Sequence, residues 1–97
     1  MPHAFSRRLE AGPLLGDGAT GTLLYARGVS LDRCFDVLNL NNPRLGQAIH
    51  ADYIAAGADC IETNTFGANR FKLAPHGLES RVREINLRGA QLARDVR

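Results

Sequence analysis

The protein has 97 residues, of which 44% are hydrophobic and 23% charged, as in one folded domain or part of one, and this composition excludes disorder and fibrous repeats. Twelve basic and ten acidic residues are spread along the chain and give a net charge of +2, so no nucleic-acid partner is expected. The longest uncharged stretch, residues 18–26, is far below the roughly 20 residues that span a bilayer. With no signal-peptide pattern, we expect a cytoplasmic protein without membrane partners.

The first 42 residues contain one predicted strand and one predicted helix. Residues 1–12 form an irregular lead-in, and Pro13–Asp17 is a short apolar segment typical of a strand. Thr20–Arg27 predicts two turns of helix, which Gly28 ends. Val29–Asn42 is rich in Asn and lacks periodicity, so we expect a loop with a short helix.

A second helix and strand follow. Asn42 is a preferred cap residue and Pro43 suits the first helical position, so a helix is predicted over Pro43–Ala56 and ended by Gly57. Asp59–Asn64 then predicts a buried strand. The apolar face of the helix is predicted to comprise Leu45, Ala48, Ile49, Tyr53 and Ala56.

The remaining residues predict a short helix over Asn69–Leu73 and a long helix over Glu79–Val96. Alternating strands and helices indicate an α/β fold, and we expect about two to three βα units from the N-terminal part of a (β/α)₈ TIM barrel. Such a barrel needs roughly 250 residues, so residues 1–97 are expected to form part of one domain. The predicted buried stripe of the long helix is Val82, Ile85, Gly89, Leu92, Ala93 and Val96.

The cysteines and histidines do not predict a metal site. Cys34 and Cys60 are too far apart for a Cys-x-x-Cys motif, and His3, His50 and His76 are scattered. We therefore expect two free, buried cysteines.

Two segments carry candidate binding residues. Residues 16–21 (GDGATG) match the glycine pattern of a dinucleotide turn, but Asp17 would repel a pyrophosphate and the helix that follows is short. Asp17 at a strand end could instead bind an ammonium group, or could only hydrogen-bond its own turn or cap the next helix. Residues 62–67 (ETNTFG) place polar side chains where the second strand ends, either as a ligand site or as a polar plug without a ligand.

Residues 15–22 (LGDGATGT), Asn42-Pro43 at a helix start, and residues 56–69 (AGADCIETNTFGAN) together resemble the homocysteine S-methyltransferase family. The resemblance implies a (β/α)₈ barrel that binds homocysteine, with zinc on three cysteines turning the substrate thiol into a thiolate. It also implies a methyl donor, which in the family includes methylcobalamin, betaine or S-methylmethionine, so that cobalamin is an expected methyl carrier.

The resemblance also implies which residues bind the substrate. Asp17 corresponds to an aspartate that holds the amino group of homocysteine, and Gly18 gives access to the backbone. The zinc cysteines of the family lie on later strands, and neither Cys34 nor Cys60 matches one, so no catalytic or metal residue is assigned and the isolated chain is expected to be inactive. The substrate-binding residues expected on the second segment are Thr63, Asn64, Thr65 and Phe66, with Glu62 beside them.

The sequence is therefore consistent with three functions. The first is methyl transfer to the zinc-activated thiol of homocysteine, with homocysteine, a methyl donor and the remainder of the barrel as partners. The second is a non-catalytic remnant or a piece that completes a barrel. The third is a nucleotide-binding module at Gly16–Gly21.

Overall fold

The computed structural model describes residues 4–30 and 32–96 of the chain. Short 3₁₀ turns at Ala74–His76 and Glu79–Arg81 connect the last two helices. In the described part of the chain, no helix is both long and apolar enough to cross a membrane. The α-helices are α1 (Ala4–Glu10), α2 (Thr20–Ala26), α3 (Leu38–Asn41), α4 (Pro43–Ala55), α5 (Arg70–Leu73) and α6 (Val82–Asp95).

The predicted α/β fold, with two to three βα units of a (β/α)₈ barrel, is wrong: residues 4–30 and 32–96 contain helices and no β-strand. The two predicted strands, Pro13–Asp17 and Asp59–Asn64, do lie beside each other. The carbonyl of Leu15 accepts hydrogen bonds from the amides of Asp59 (2.7 Å) and Cys60 (3.2 Å). These are the only backbone hydrogen bonds between residues 13–17 and residues 59–64.

Two carboxylates explain why a strand ladder does not form. The Leu15 amide donates to Asp59 Oδ2 (2.9 Å), and the Glu62 amide donates to Asp17 Oδ2 (3.0 Å). A ladder requires each of these amides to donate to a backbone carbonyl of the neighbouring strand. The side chains take that role, and two short segments without further neighbours cannot make a stable parallel sheet.

The main helices agree with the sequence prediction to within a few residues. Helices α2 and α4 are followed by Gly28 and Gly57, whose φ angles of 101° and 109° favour glycine. Pro43 begins α4 as predicted, but the side chain of Asn42 makes no capping hydrogen bond. The long C-terminal helix is also shorter than predicted, because Glu79–Arg81 forms a 3₁₀ turn before α6 begins.

Helix α1 occupies residues that were predicted to be an irregular lead-in. All of its residues are exposed, so its position depends on polar contacts. Arg8 forms an ion pair with Asp59 (3.4 Å) and donates to the carbonyl of Pro13 (3.5 Å). Asp59 thus connects α1 with the segment that leads to the glycine turn.

Helix α3 connects two small cores in the described part of the chain, since it contacts both α4 and α6, which also contact each other. One core contains Leu24, Leu38 and Ile49. The other contains Ala68, Leu73 and Ile85. Of the stripe predicted for the last helix, Ile85, Gly89 and Leu92 are buried, and Val82, Ala93 and Val96 are half-buried.

Candidate functional site

An open cavity of about 500 Å³ lies where the two motif segments meet. Its lining comprises residues 18–21 of the glycine turn, residues 33–36 before α3, residues 62–64 and 66–67 of the second motif, and Lys72 of α5. The fold therefore brings together segments that are more than 40 positions apart in the sequence.

Five of the seven predicted site residues line this cavity, and Asp17 and Thr65 do not. The Asp17 carboxylate accepts the amide of Glu62, which is a lining residue, at 3.0 Å. The structural alternative from the sequence was that Asp17 caps α2 or hydrogen-bonds its own turn, and Asp17 does neither. It connects the two motif segments instead. The hydroxyls of Thr63 and Thr65 share a hydrogen bond of 2.7 Å.

The glycines of the first motif allow close packing. A Cβ atom at Gly18 would lie 2.9 Å from the hydroxyl of Tyr53, and one at Gly21 would lie 3.2 Å from the ring of Phe35. Both distances are too short for an ordinary contact. The turn is thus packed against two aromatic side chains, and the helix that follows it has only seven residues, features that do not favour a pyrophosphate at this turn.

Asn64 is held by a buried side chain that the sequence analysis missed. Asn39, on α3, donates from Nδ2 to the carbonyl of Asn64 (2.8 Å) and to that of Ile85 (3.2 Å). In return, Asn64 Nδ2 donates to Asn39 Oδ1 (3.4 Å) and to the carbonyl of Phe35 (2.9 Å). Asn64 therefore supports the shape of the cavity wall.

Asp36 is a second residue that the sequence analysis missed. It is buried and lines the cavity, and its Oδ1 accepts the amide of Gly67 at 3.1 Å. Burial raises the pKa of Asp36, and the hydrogen bond from Gly67 partly opposes that rise. Both Asp36 and Asn39 fall in the aperiodic stretch predicted as a loop, where Asn was interpreted only as a turn former.

The cavity lining carries both signs of charge. Arg33 and Lys72 supply cations, and Asp36 and Glu62 supply carboxylates. The ring of Phe66 is 94% exposed and adds an apolar surface. Such a lining suits a small zwitterion that also has an apolar part.

His50 on α4 is buried, and its Nδ1 has no hydrogen-bond partner among residues 4–30 and 32–96. Burial lowers the pKa of His50, while the nearby charge of Asp17 acts in the opposite direction. Burial therefore favours the neutral imidazole.

The two cysteines lie in different places. Cys34 is half-buried and lines the 500 Å³ cavity, whereas Cys60 is exposed and lines a separate cavity of about 350 Å³. The expectation that both are buried is therefore wrong. Across residues 4–30 and 32–96, no three His, Cys, Asp or Glu side chains converge as metal ligands would, so this part of the chain does not fit the zinc site that the resemblance implies.

Comparison with known proteins identifies the family. A family model described as homocysteine S-methyltransferase matches residues 14–97. Methionine synthase of Mycobacterium tuberculosis (strain ATCC 25618 / H37Rv) is 39% identical over 89 residues, which cover 86% of this chain and 8% of that protein. Methionine synthase of Mycobacterium leprae (strain TN) is 38% identical over 89 residues, which cover 86% of this chain and 7% of that protein. The chain belongs to the homocysteine S-methyltransferase family.

Proposed function

We propose that the chain binds homocysteine in the 500 Å³ cavity and serves the transfer of a methyl group to the homocysteine thiol, which forms methionine. Membership of the homocysteine S-methyltransferase family supports the substrate, and the names of the two methionine synthase relatives support the product. The observation that carries the proposal is the meeting of the two motif segments, through Gly18 and residues 62–64 and 66, at one cavity of mixed charge.

The charged groups of homocysteine have matching partners at this cavity. Its ammonium group requires a carboxylate, which Glu62 offers on the lining and Asp17 offers through the oxygen that does not accept the Glu62 amide. Its carboxylate requires a cation, which Arg33 and Lys72 offer. Carboxylates and cations on the same lining would orient the amino acid through its two charged groups and leave its thiol side chain to the apolar surface of Phe66.

The family resemblance implies zinc, which stabilises a thiolate when it is bound, and a methyl carrier such as cobalamin. The described residues do not bring together a set of zinc ligands. The proposal therefore assigns substrate binding and orientation to this chain and assigns none of its residues to zinc.

Calorimetric titration with L-homocysteine and, in parallel, with NAD⁺ tests the proposal against the nucleotide alternative. We expect saturable binding of L-homocysteine, weakened in Glu62→Gln, and no binding of NAD⁺. Glu84→Gln is the control, because Glu84 is exposed and pairs with Arg81 outside the cavity. Binding of NAD⁺ without binding of L-homocysteine would support the nucleotide module and refute the proposal.

A further inference from the structure

We infer that Asp36 and Asn39 are positioning residues, which together hold residues 64–67 in the conformation that forms one wall of the cavity. We call this pair the Asp36–Asn39 clamp. Its effect on ligand affinity rests on the proposed function, whereas its effect on the conformation of residues 64–67 does not.

The spacing of the clamp matches the spacing of the residues that it holds. Asp36 lies two positions before α3 and Asn39 lies on it, three positions after Asp36, and they bond Gly67 and Asn64, which are also three positions apart. The order is antiparallel, since the earlier clamp residue holds the later residue of the loop. Both ends of the short loop are thereby fixed to the turn that leads into α3.

Asn39 fixes the first end of the loop through its backbone and its side chain. It is only 2% exposed, its Nδ2 donates to the carbonyl of Asn64, and its Oδ1 accepts from Asn64 Nδ2. Gly89 of α6 leaves the room for this arrangement, since a Cβ there would lie 2.8 Å from Asn39 Nδ2 and 2.8 Å from Thr65 Cγ2.

Asp36 fixes the second end of the loop. It is 8% exposed, and its two oxygens lie against Gly67, since one accepts the Gly67 amide and the other would lie 2.6 Å from a Cβ at that position. Phe66, between the two fixed ends, is almost wholly exposed and cannot hold the loop by burial.

If Asp36 and Asn39 only filled space in the core, apolar side chains would serve better. Burying a carboxylate or an amide costs free energy unless its hydrogen bonds are made. Asp36 and Asn39 are buried and make their loop contacts to Asn64 and Gly67, both of which line the cavity. The polar side chains are therefore explained by the conformation that they impose on the cavity wall.

Amide hydrogen exchange followed by NMR on the 97-residue protein tests the clamp. In Asp36→Ala we expect the Gly67 amide to exchange about tenfold to a hundredfold faster than in the wild type, with the buried α6 amides of Ile85 and Leu92 unchanged. Asp36→Asn keeps an acceptor oxygen and should restore slow exchange at Gly67. The control is Asp52→Ala, which removes an exposed carboxylate on α4 that pairs with Arg27.

Exchange at Gly67 that is unchanged in Asp36→Ala would overturn the inference, and so would equal acceleration at Gly67, Ile85 and Leu92. If Asp36→Ala does not fold, a pH titration of the wild-type protein followed by NMR tests the clamp instead. The chemical shift of the Gly67 amide must then change as one carboxylate ionises, and a shift that does not depend on pH would overturn the clamp.

Titration with L-homocysteine separates the clamp from the proposed function. We expect Asp36→Ala and Asn39→Ala to weaken L-homocysteine binding about tenfold or more, and Asp52→Ala to leave it unchanged. If the wild-type protein does not bind L-homocysteine, the proposed function fails, and the exchange rate at Gly67 still decides whether the clamp exists.

Discussion

Replacing Gly89 by Ala tests the packing behind the cavity wall, because two opposing effects make the sign of the change informative. Gly89 lies in the interior of α6 and is buried. Helix propensity alone predicts that Gly89→Ala stabilises the protein by about 0.5–1 kcal/mol. The added methyl group would, however, lie 2.8 Å from Asn39 Nδ2 and from Thr65 Cγ2, and 3.4 Å from the Asn64 carbonyl.

We expect the steric effect to exceed the propensity effect. Overpacking a closely packed core costs about 1–3 kcal/mol. If Asn39 moves away instead, its buried side-chain amide loses its hydrogen bonds to the carbonyls of Asn64 and Ile85, and an unsatisfied buried polar group costs about 1–3 kcal/mol. After the gain in propensity is subtracted, Gly89→Ala should lower the free energy of unfolding by about 0–2.5 kcal/mol.

Urea denaturation followed by circular dichroism measures this change, and Gly46→Ala is the matched control. Gly46 lies within α4, and a Cβ there would meet no atom within 4 Å. The control should therefore stabilise the protein by about 0.5–1 kcal/mol. If Gly89→Ala stabilises the protein as much as Gly46→Ala does, the close contact of α6 with Asn39 and Thr65 is refuted.

Three further predictions concern charge and metal. Asp17→Asn should weaken L-homocysteine binding roughly tenfold to a hundredfold in a calorimetric titration, because it removes a negative charge beside Glu62 that would attract the ammonium group, and an unchanged affinity would leave Asp17 only its structural role. Burial lowers the pKa of His50 in the folded protein below its ordinary value of 6.5. As the pH falls through 6.5, the unfolded chain therefore binds more protons at His50 than the folded protein does, and the free energy of unfolding should decrease. In urea titrations at about pH 5 and about pH 7.5, His50→Leu should show a smaller fall than the wild type, and equal falls would contradict this reasoning. Since Cys34 and Cys60 lie in separate cavities, metal analysis of the purified chain should find less than one zinc per chain, and one tightly held zinc would contradict this prediction.

The helices could be predicted from the sequence because their signals are local. Pro43 and Gly57 mark the ends of α4, and the spacing of Ile85, Gly89 and Leu92 matches one face of α6. Local signals could not show whether the two apolar segments form strands, because a strand requires hydrogen-bond partners elsewhere in the chain. The amides that a ladder would use donate instead to the carboxylates of Asp17 and Asp59.

The candidate site shows the same division between local and distant information. The motif residues Gly18 and Glu62 were expected at one site, and the fold places both on one cavity. Asp36 and Asn39 were missed because their partners lie 31 and 25 positions away, and nothing in the local pattern indicates a hydrogen bond over that separation.

The central claim is that homocysteine binds at the cavity between the two motif segments. The most direct test is NMR chemical-shift mapping of the isotope-labelled chain during titration with L-homocysteine. We predict saturable shifts at the amides of residues 18–21, 33–36, 62–64 and 66–67, which line that cavity. Absence of saturable shifts, or the largest shifts at Ile54, Ile61 and Ala93 of the second cavity, would contradict the claim.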